Sequence, residues 1–289
     1  MINFHKYGFL DSKRLKNILK DSTEFLTEYD PNWYFIWSDL YKPEIAYTPE
    51  FTYIKYYLED VGYVYLPPIG NGSLKLSLLD MEEDAKDHGF DFNIGAITED
   101  LRPKLSMLGY KSEKKDNLAT YIYIADNYLN NGKYYKKNTK IIKSFAKAHK
   151  DYYCKTIKKE DFTKVFEFIT NYKTNNTNVN GPFFFRKLNM IKKCIEHLYE
   201  LDLFGMLLME NDEIYGMILS STNNNCTHVY ATLSLDIEGA FETLFTSFAK
   251  YISASKSRYI SLDSDLDLDS KKIREDLMPI RIEDYYSTF

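Results

Sequence analysis

Two rhythms of apolar and polar positions follow one another between Leu203 and Ser253. An apolar run, Leu203–Met209, leads into the turn residues Asn211-Asp212. A second run, Glu213–Ser221, is rich in strand formers and is followed by the polar turn Asn223-Asn224-Asn225 and a third run, Thr227–Leu233. Such runs joined by short turn-forming pairs predict a three-strand antiparallel meander. Apolar residues then recur at Phe241, Leu244, Phe245, Phe248 and Tyr251. That spacing predicts a helix from about Gly239 to Ser253 with one buried face. Gly239-Ala240 at its start are small enough to let backbone or ligand approach.

The rest of the chain reads the same way. Leu15, Ile18, Leu19 and Leu26 make an apolar stripe over Ser12–Leu26, a helix, and Trp33, Trp37 and Tyr41 share one face of a short helical stretch, Pro31–Tyr41, turned to the core. Phe51–Tyr57 and Val61–Leu66 read as a hairpin that Pro67-Pro68 should end, because neither proline can donate to a ladder. A helix is expected over Leu74–His88, closed by Gly89, then a strand at Phe92–Ile97. Thr98-Glu99-Asp100 should cap a helix running to Leu108, and Leu118–Ala125 alternates as a strand. Beyond Gly132 come a helix to about His149, a strand at Tyr152–Ile157, helices at Glu160–Tyr172 and Pro182–Tyr199 flanking the polar stretch 174–181, a strand at Tyr259–Leu262 and a last strand at Met278–Ile282. Element order divides the chain into halves, 1–127 and 128–289.

Composition narrows the picture. The 289 residues hold enough apolar side chains, 44%, for one large or two ordinary cores. Tyr and Phe are abundant, at 26 and 19, which an AT-rich coding sequence explains more simply than an aromatic binding surface. The net charge of −5 argues against a protein that binds DNA through its whole surface and leaves room for a local basic patch. Cys154, Cys194 and Cys226 show neither disulfide nor metal spacing, and no apolar run reaches membrane-span length; a cytoplasmic protein without metal or cofactor is the expectation.

Few residues carry chemistry. Lys133, Lys136, Lys137 and Lys140 fall on one helical face and suit a phosphate backbone such as that of tRNA, with Tyr134 and Tyr135 placed to stack on a base; the plainer reading is a solvated face. Asp263, Asp265, Asp267 and Asp269 alternate with leucines but lack the glycine and final glutamate of a calcium loop, so they suit a substrate amine or Lys271, Lys272 and Arg274. His228, on the third meander strand, is a candidate general base, and Tyr230 and Thr232 follow it. Asp236 and Glu238 precede Gly239; they are either caps or catalytic carboxylates, and their charge opposes a coenzyme A pyrophosphate there.

Three strands and a helix opened by small residues resemble the central unit of the GNAT acyltransferase fold. Three further motifs occur in order: Leu66-Pro67-Pro68-Ile69-Gly70, Gly132-Lys133-Tyr134-Tyr135-Lys136-Lys137 followed by Phe145, and Ser261-Leu262-Asp263-Ser264-Asp265-Leu266. Together they resemble the family typified by the C-terminal domain of phosphatidylglycerol lysyltransferase. The resemblance implies an α+β chain of two tandem GNAT-like domains with mixed, mostly antiparallel sheets flanked by helices. It implies transfer of an aminoacyl group from aminoacyl-tRNA to a lipid headgroup, or to another hydroxyl or amine, at a membrane surface. Where relatives carry Arg-Asn, charged strand residues and Gly-Leu-Arg, this chain has Thr139-Lys140, Tyr230–Ser234 and Ser270-Lys271-Lys272. A binding or regulatory module without catalysis, and an acetyl-coenzyme A-dependent N-acetyltransferase, therefore stand as alternatives.

Overall fold

A computed structural model describes residues 2–175, 182–223, 225–255, 257–263 and 274–289. Among them the chain forms two compact units, one from residues 2–120, 263 and 282–289, the other from residues 121–262 and 274–281.

The first unit opens with β1 (His5–Lys6), α1 (Phe9–Ile18), α2 (Pro31–Ile36), α3 (Ser38–Tyr41), β2 (Glu44–Tyr47), β3 (Phe51–Leu58), β4 (Gly62–Tyr65) and β5 (Ile69–Gly70). It continues with α4 (Leu74–Asp87), α5 (Arg102–Met107) and the first residues of β6 (Glu113–Ile124). The strands pair antiparallel in the order β1-β2-β3-β4, and β5 joins the start of β3. Every residue from Phe51 to Tyr56 is buried, because β3 is covered on both faces. Phe51 and Tyr53 meet Leu78, Met81 and Ala85 of α4. Tyr56 turns the other way, toward the rings of Trp33 and Tyr34. Much of the tyrosine excess is thus core; Tyr7, Tyr34, Tyr56 and Tyr65 are fully buried.

Several expectations are corrected. The first helix starts earlier and ends at Ile18 rather than Leu26, after which the Ser22 hydroxyl takes the Glu24 N–H and competes with helix. The aromatic stretch Pro31–Tyr41 breaks at Trp37 into two helices, the first capped by the Asp30 carboxylate on Asn32 N–H. Pairing does not end at Pro67-Pro68, since Ile69 and Gly70 rejoin Thr52 and Phe51. Residues 92–97 are no strand: single bridges join Ile94 to Tyr65 and Ile97 to Tyr286, and Ala96 turns the chain at φ 48°. The helix expected from Thr98 begins only at Arg102, whose guanidinium reaches back to Glu99 at 3.0 Å.

Lys55 sits in the middle of β3 and is 2% exposed. Its Nζ donates to Asp84 Oδ2 of α4 at 2.9 Å and lies 3.4 Å from Glu44 Oε2. The Tyr65 hydroxyl donates to the same Asp84 oxygen. The Phe4 ring covers the ammonium at 4.1 Å, with Tyr63 and Phe90 slightly farther away. The lysine tolerates burial because its charge is paired and faced by π-clouds.

The second unit takes up the end of β6 and adds α6 (Lys133–Ala148), β7 (Tyr153–Thr156), α7 (Phe162–Asn175), α8 (Pro182–Glu196), β8 (Leu203–Glu210), β9 (Glu213–Asn223), β10 (Cys226–Ser234), α9 (Ala240–Ala254) and β11 (Tyr259–Asp263). Its strand order is β6-β11-β10-β9-β8-β7. The meander is antiparallel as its turns predict, with Asn211 and Asp212 both at positive φ, as a two-residue hairpin demands. β11 lies parallel to β10 because α9 carries the chain back across the sheet. Leu244, Phe245, Phe248 and Ile252 of α9 are fully or almost fully buried; removing four such side chains from water stabilises by roughly 1.5–3 kcal/mol each.

After α9 and β11 comes β12 (Arg281–Ser287), which belongs to the first unit apart from its first residue. It pairs with β6, where Lys114 and Asp284 meet at 2.7 Å, and sends Tyr286 into the α4 core and the Tyr285 hydroxyl to Tyr56 at 2.8 Å. The strand expected at Met278–Ile282 is displaced, since Met278 has φ 61° and Pro279 cannot donate.

Candidate functional site

The basic helix is α6, and every one of its ionisable charges is positive: the sequence KYYKKNTKIIKSFAKA holds lysines and no carboxylate. Gly132 stands at its N-cap because a Cβ there would lie 2.1 Å from the Asn127 carbonyl oxygen. Lys133, Lys136, Lys137, Lys140, Lys143 and Lys147 line the side of α6 away from its buried Tyr134, Ile142 and Phe145. Among the described residues only Lys137 of these is in an ion pair, with the exposed Asp276 at 3.3 Å. Tyr134 is on the opposite side. It is 3% exposed, its ring centroid is 4.6 Å from that of Tyr128, and burial drives its hydroxyl pKa upward, with Glu242 and Asp276 adding to the shift. Tyr134 is therefore core and unavailable for stacking on a base; Tyr135 is half-buried.

The middle strand carries the second cluster. β10 pairs with β11 from Cys226–Tyr259 to Val229–Leu262, and among the described residues its ladder on that side goes no further. On the β9 side the register shifts between Val229 and Ala231, which makes Tyr230 the extra residue of a β-bulge. Bulges re-aim side chains. The Tyr230 hydroxyl donates to Ser221 Oγ at 2.9 Å, and His228 Nδ1 is 2.7 Å from Ser261 Oγ. His228 is 2% exposed, so the imidazole is walled in. The Thr232 hydroxyl oxygen is buried with no hydrogen-bond partner among the described residues.

At the end of β10 the chain turns through Asp236 and Glu238 into Gly239, which is buried at φ 85°. A Cβ on Gly239 would stand 2.8 Å from the Ile141 carbonyl oxygen and 2.9 Å from Phe145 Cβ, so α6 presses on the start of α9. Just beyond Phe145, His149 Nδ1 lies 2.7 Å from Glu210 Oε2, and the Tyr215 hydroxyl donates to that same oxygen at 3.0 Å. Sequence reasoning misses these three residues; the only local sign is a histidine at a helix end. Asp265, Lys271 and Lys272 lie outside the described residues, and so does the side chain of Asp263. Among the described residues no His, Cys, Asp and Glu group could hold a metal ion, and no helix is long and apolar enough to cross a membrane. An open groove of about 400 Å³ on α7, lined by Thr163, Phe166, Glu167, Thr170 and Asn171, contains none of the candidate residues.

A profile of the family described as "Phosphatidylglycerol lysyltransferase, C-terminal" matches residues 26–265. The chain belongs to this family. No curated protein sequence matches it. Among solved structures, a conserved protein of unknown function from Bacteroides thetaiotaomicron is similar at a TM-score of 0.91 and 21% identity, over 99% of both chains. L-PGS from Bacillus licheniformis is similar at 0.66 and 12%, over 96% of this chain and 91% of that one. A tandem GNAT protein from the clavulanic acid biosynthesis pathway is similar at 0.53 and 10%, over 99% and 98%. The fold of this family member is thus the mixed, antiparallel-rich α+β fold of tandem GNAT-like acyltransferases, related to lysylphosphatidylglycerol synthase domains.

Proposed function

We propose that the protein is an acyltransferase of the aminoacyl-tRNA-dependent type, moving an aminoacyl group to a hydroxyl or amine, with a lipid headgroup as the acceptor class, and that it works in the cytoplasm at the membrane surface. The observation that carries this reading is the lysine face of α6, free of carboxylates of its own within a chain of net charge −5. A local field of that kind attracts a phosphate backbone when the molecule as a whole does not. The reaction needs placement of an activated ester, donors for the developing oxyanion and movement of one proton. For the oxyanion this reading looks to the β-bulge of β10 at Tyr230, with Thr232 two residues on. Coenzyme A is disfavoured as donor: Asp236 and Glu238 stand just before Gly239, and α6 crowds the helix start a pyrophosphate would need. A binding module without catalysis is the second reading, favoured by the burial of His228.

The test is tRNA binding across a salt series. Lys133→Ala, Lys136→Ala, Lys137→Ala together should weaken it and make the log K against log salt slope shallower by about 0.7–0.9 for each phosphate no longer neutralised. Unchanged tRNA affinity in that variant, or micromolar coenzyme A binding that Gly239→Ala abolishes, would put the donor elsewhere.

A further inference from the structure

The acyl transfer proposed above requires a group that takes one proton from the acceptor and returns it to the leaving oxygen, a task suited to histidine near neutral pH. The chain has five histidines, at positions 5, 88, 149, 197 and 228. His228 is shut in at 2% exposure with Nδ1 against Ser261. His197 faces Glu200, whose side chain is 60% exposed, an ordinary surface pair three residues apart. His5 is half in water, 3.2 Å from Asp11, and His88 is 58% exposed beside an Asp84 that Lys55 already neutralises.

His149 differs from all of these. Its side chain is 22% exposed, whereas its Glu210 partner is 10% exposed. Glu210 is fixed in turn by the Tyr215 hydroxyl, and hydrogen bonds from His149 first, then Tyr215 and the Asp151 backbone, hold its carboxyl below the usual glutamate range. The imidazole is clamped: Phe145 stacks on it at 4.5 Å and Tyr215 meets it edge-on at 5.4 Å. With Nδ1–H given to Glu210, Nε2 is the basic nitrogen, and it has no partner among the described residues. A histidine oriented by an ionised carboxylate, with its other nitrogen free, is the arrangement of a general base. The pair sits where β10 passes into α9: Leu235 N–H donates to the Tyr215 carbonyl at 2.8 Å, and Phe145 packs at the Gly239 position.

We propose that His149 is the catalytic base of this site, oriented by Glu210; the assignment rests on the acyl-transfer reading. As the acceptor oxygen or nitrogen bonds to the ester carbonyl carbon, Nε2 takes its proton. When the tetrahedral centre collapses, the bond to the donor oxygen breaks and the imidazolium returns that proton to it. Glu210 remains ionised throughout and balances the imidazolium charge.

The probe is p-nitrophenyl acetate, with water as acceptor and p-nitrophenolate release as the signal, on the full chain. His149→Ala should lose tenfold or more of the rate, on the scale of roughly 10²–10⁴ that positioned general bases supply, and added imidazole should restore part of it. Glu210→Gln should lose several-fold, and His197→Gln nothing. Restoration by imidazole beyond the rate at which imidazole alone cleaves the ester, measured without protein, separates a proton acceptor from a structural residue. A wild-type rate no faster than that of His149→Ala, or a loss that imidazole leaves untouched, overturns the assignment. Loss and rescue in a chain that binds no tRNA would keep His149 and remove the tRNA donor. Lysine-dependent tRNA binding with an inert His149 would do the reverse.

Discussion

Lys55→Met tests whether the ion pair inside the first unit holds that unit together. In the wild type the ammonium has Asp84 at 2.9 Å, Glu44 at 3.4 Å and the Phe4 ring at 4.1 Å. Methionine fills much of the same volume but leaves the Asp84 carboxylate, 2% exposed, without its counter-charge. Breaking one side of a buried pair costs about 3–5 kcal/mol, and losing the attraction between ammonium and rings adds about 1 kcal/mol. Taking both charges away is a different perturbation. Lys55→Met with Asp84→Leu removes the desolvation penalty along with the attraction, leaving the Tyr65 hydroxyl without an acceptor at a cost of about 1–3 kcal/mol. The double variant should therefore be more stable than either single one. The assay is urea unfolding followed by tryptophan fluorescence, since both tryptophans, Trp33 and Trp37, lie in the α2–α3 segment of this unit. A Lys55→Met loss below about 1 kcal/mol, or a double variant weaker than both singles, would refute the claim that the charge pair is mutually dependent.

Gly239→Ala combines a left-handed backbone with approaches of 2.8 and 2.9 Å and should cost about 2–4 kcal/mol, read as a lower melting temperature. Thr243→Val should be neutral or stabilising by up to about 1 kcal/mol in urea titration, because the Thr243 hydroxyl is buried without a partner among the described residues. Acid should destabilise the second unit. Glu210 is held low by His149, and at Asp161 the Lys155 and Lys158 bonds outweigh the upward push of burial. A lowered folded pKa gives stability that is present above the unfolded carboxylate range and lost as pH falls through the folded pKa. Glu210→Gln should flatten the acid limb of a melting-temperature profile between about pH 5 and 2; an unchanged limb would count against the pairing.

The meander and α9 are legible in the sequence because local signals agree there: two turn residues able to adopt positive φ, runs of strand formers, and apolar positions at helical spacing. Tyr134 reads as a surface ring only while it is grouped with its lysine neighbours; the same helical wheel that gathers the lysines sets it about 100° from Lys133. Residues 92–97 alternate as a strand does, yet the turn at Ala96 leaves them single bridges. Lys55 has a trace in the sequence, a lysine within the aromatic run FTYIKYYL, but its partner is 29 residues away on another element. His149 and Glu210 are 61 residues apart, and only the register of β8 and β9 against the end of α6 brings them together. Long-range pairing of polar side chains has no periodicity to announce it, and for that reason the proton-handling pair is invisible where the core is not.

The last strand has a consequence for how the chain is made. The ribosome releases the first unit's opening 120 residues early, but β12, with Tyr285 and Tyr286, is translated only after Tyr121–Leu262 of the second unit. At about 5–20 residues per second the wait is on the order of ten to thirty seconds. During it, the tyrosine-lined surface that β12 will cover faces solvent, and β6 lacks the neighbour that later shields its edge. The second unit, by contrast, has its meander, α9 and β11 in hand before β12 is made. The unit that begins first therefore waits on a strand made after the second unit's meander, α9 and β11, and in the nascent chain it is the unit that a chaperone has reason to hold.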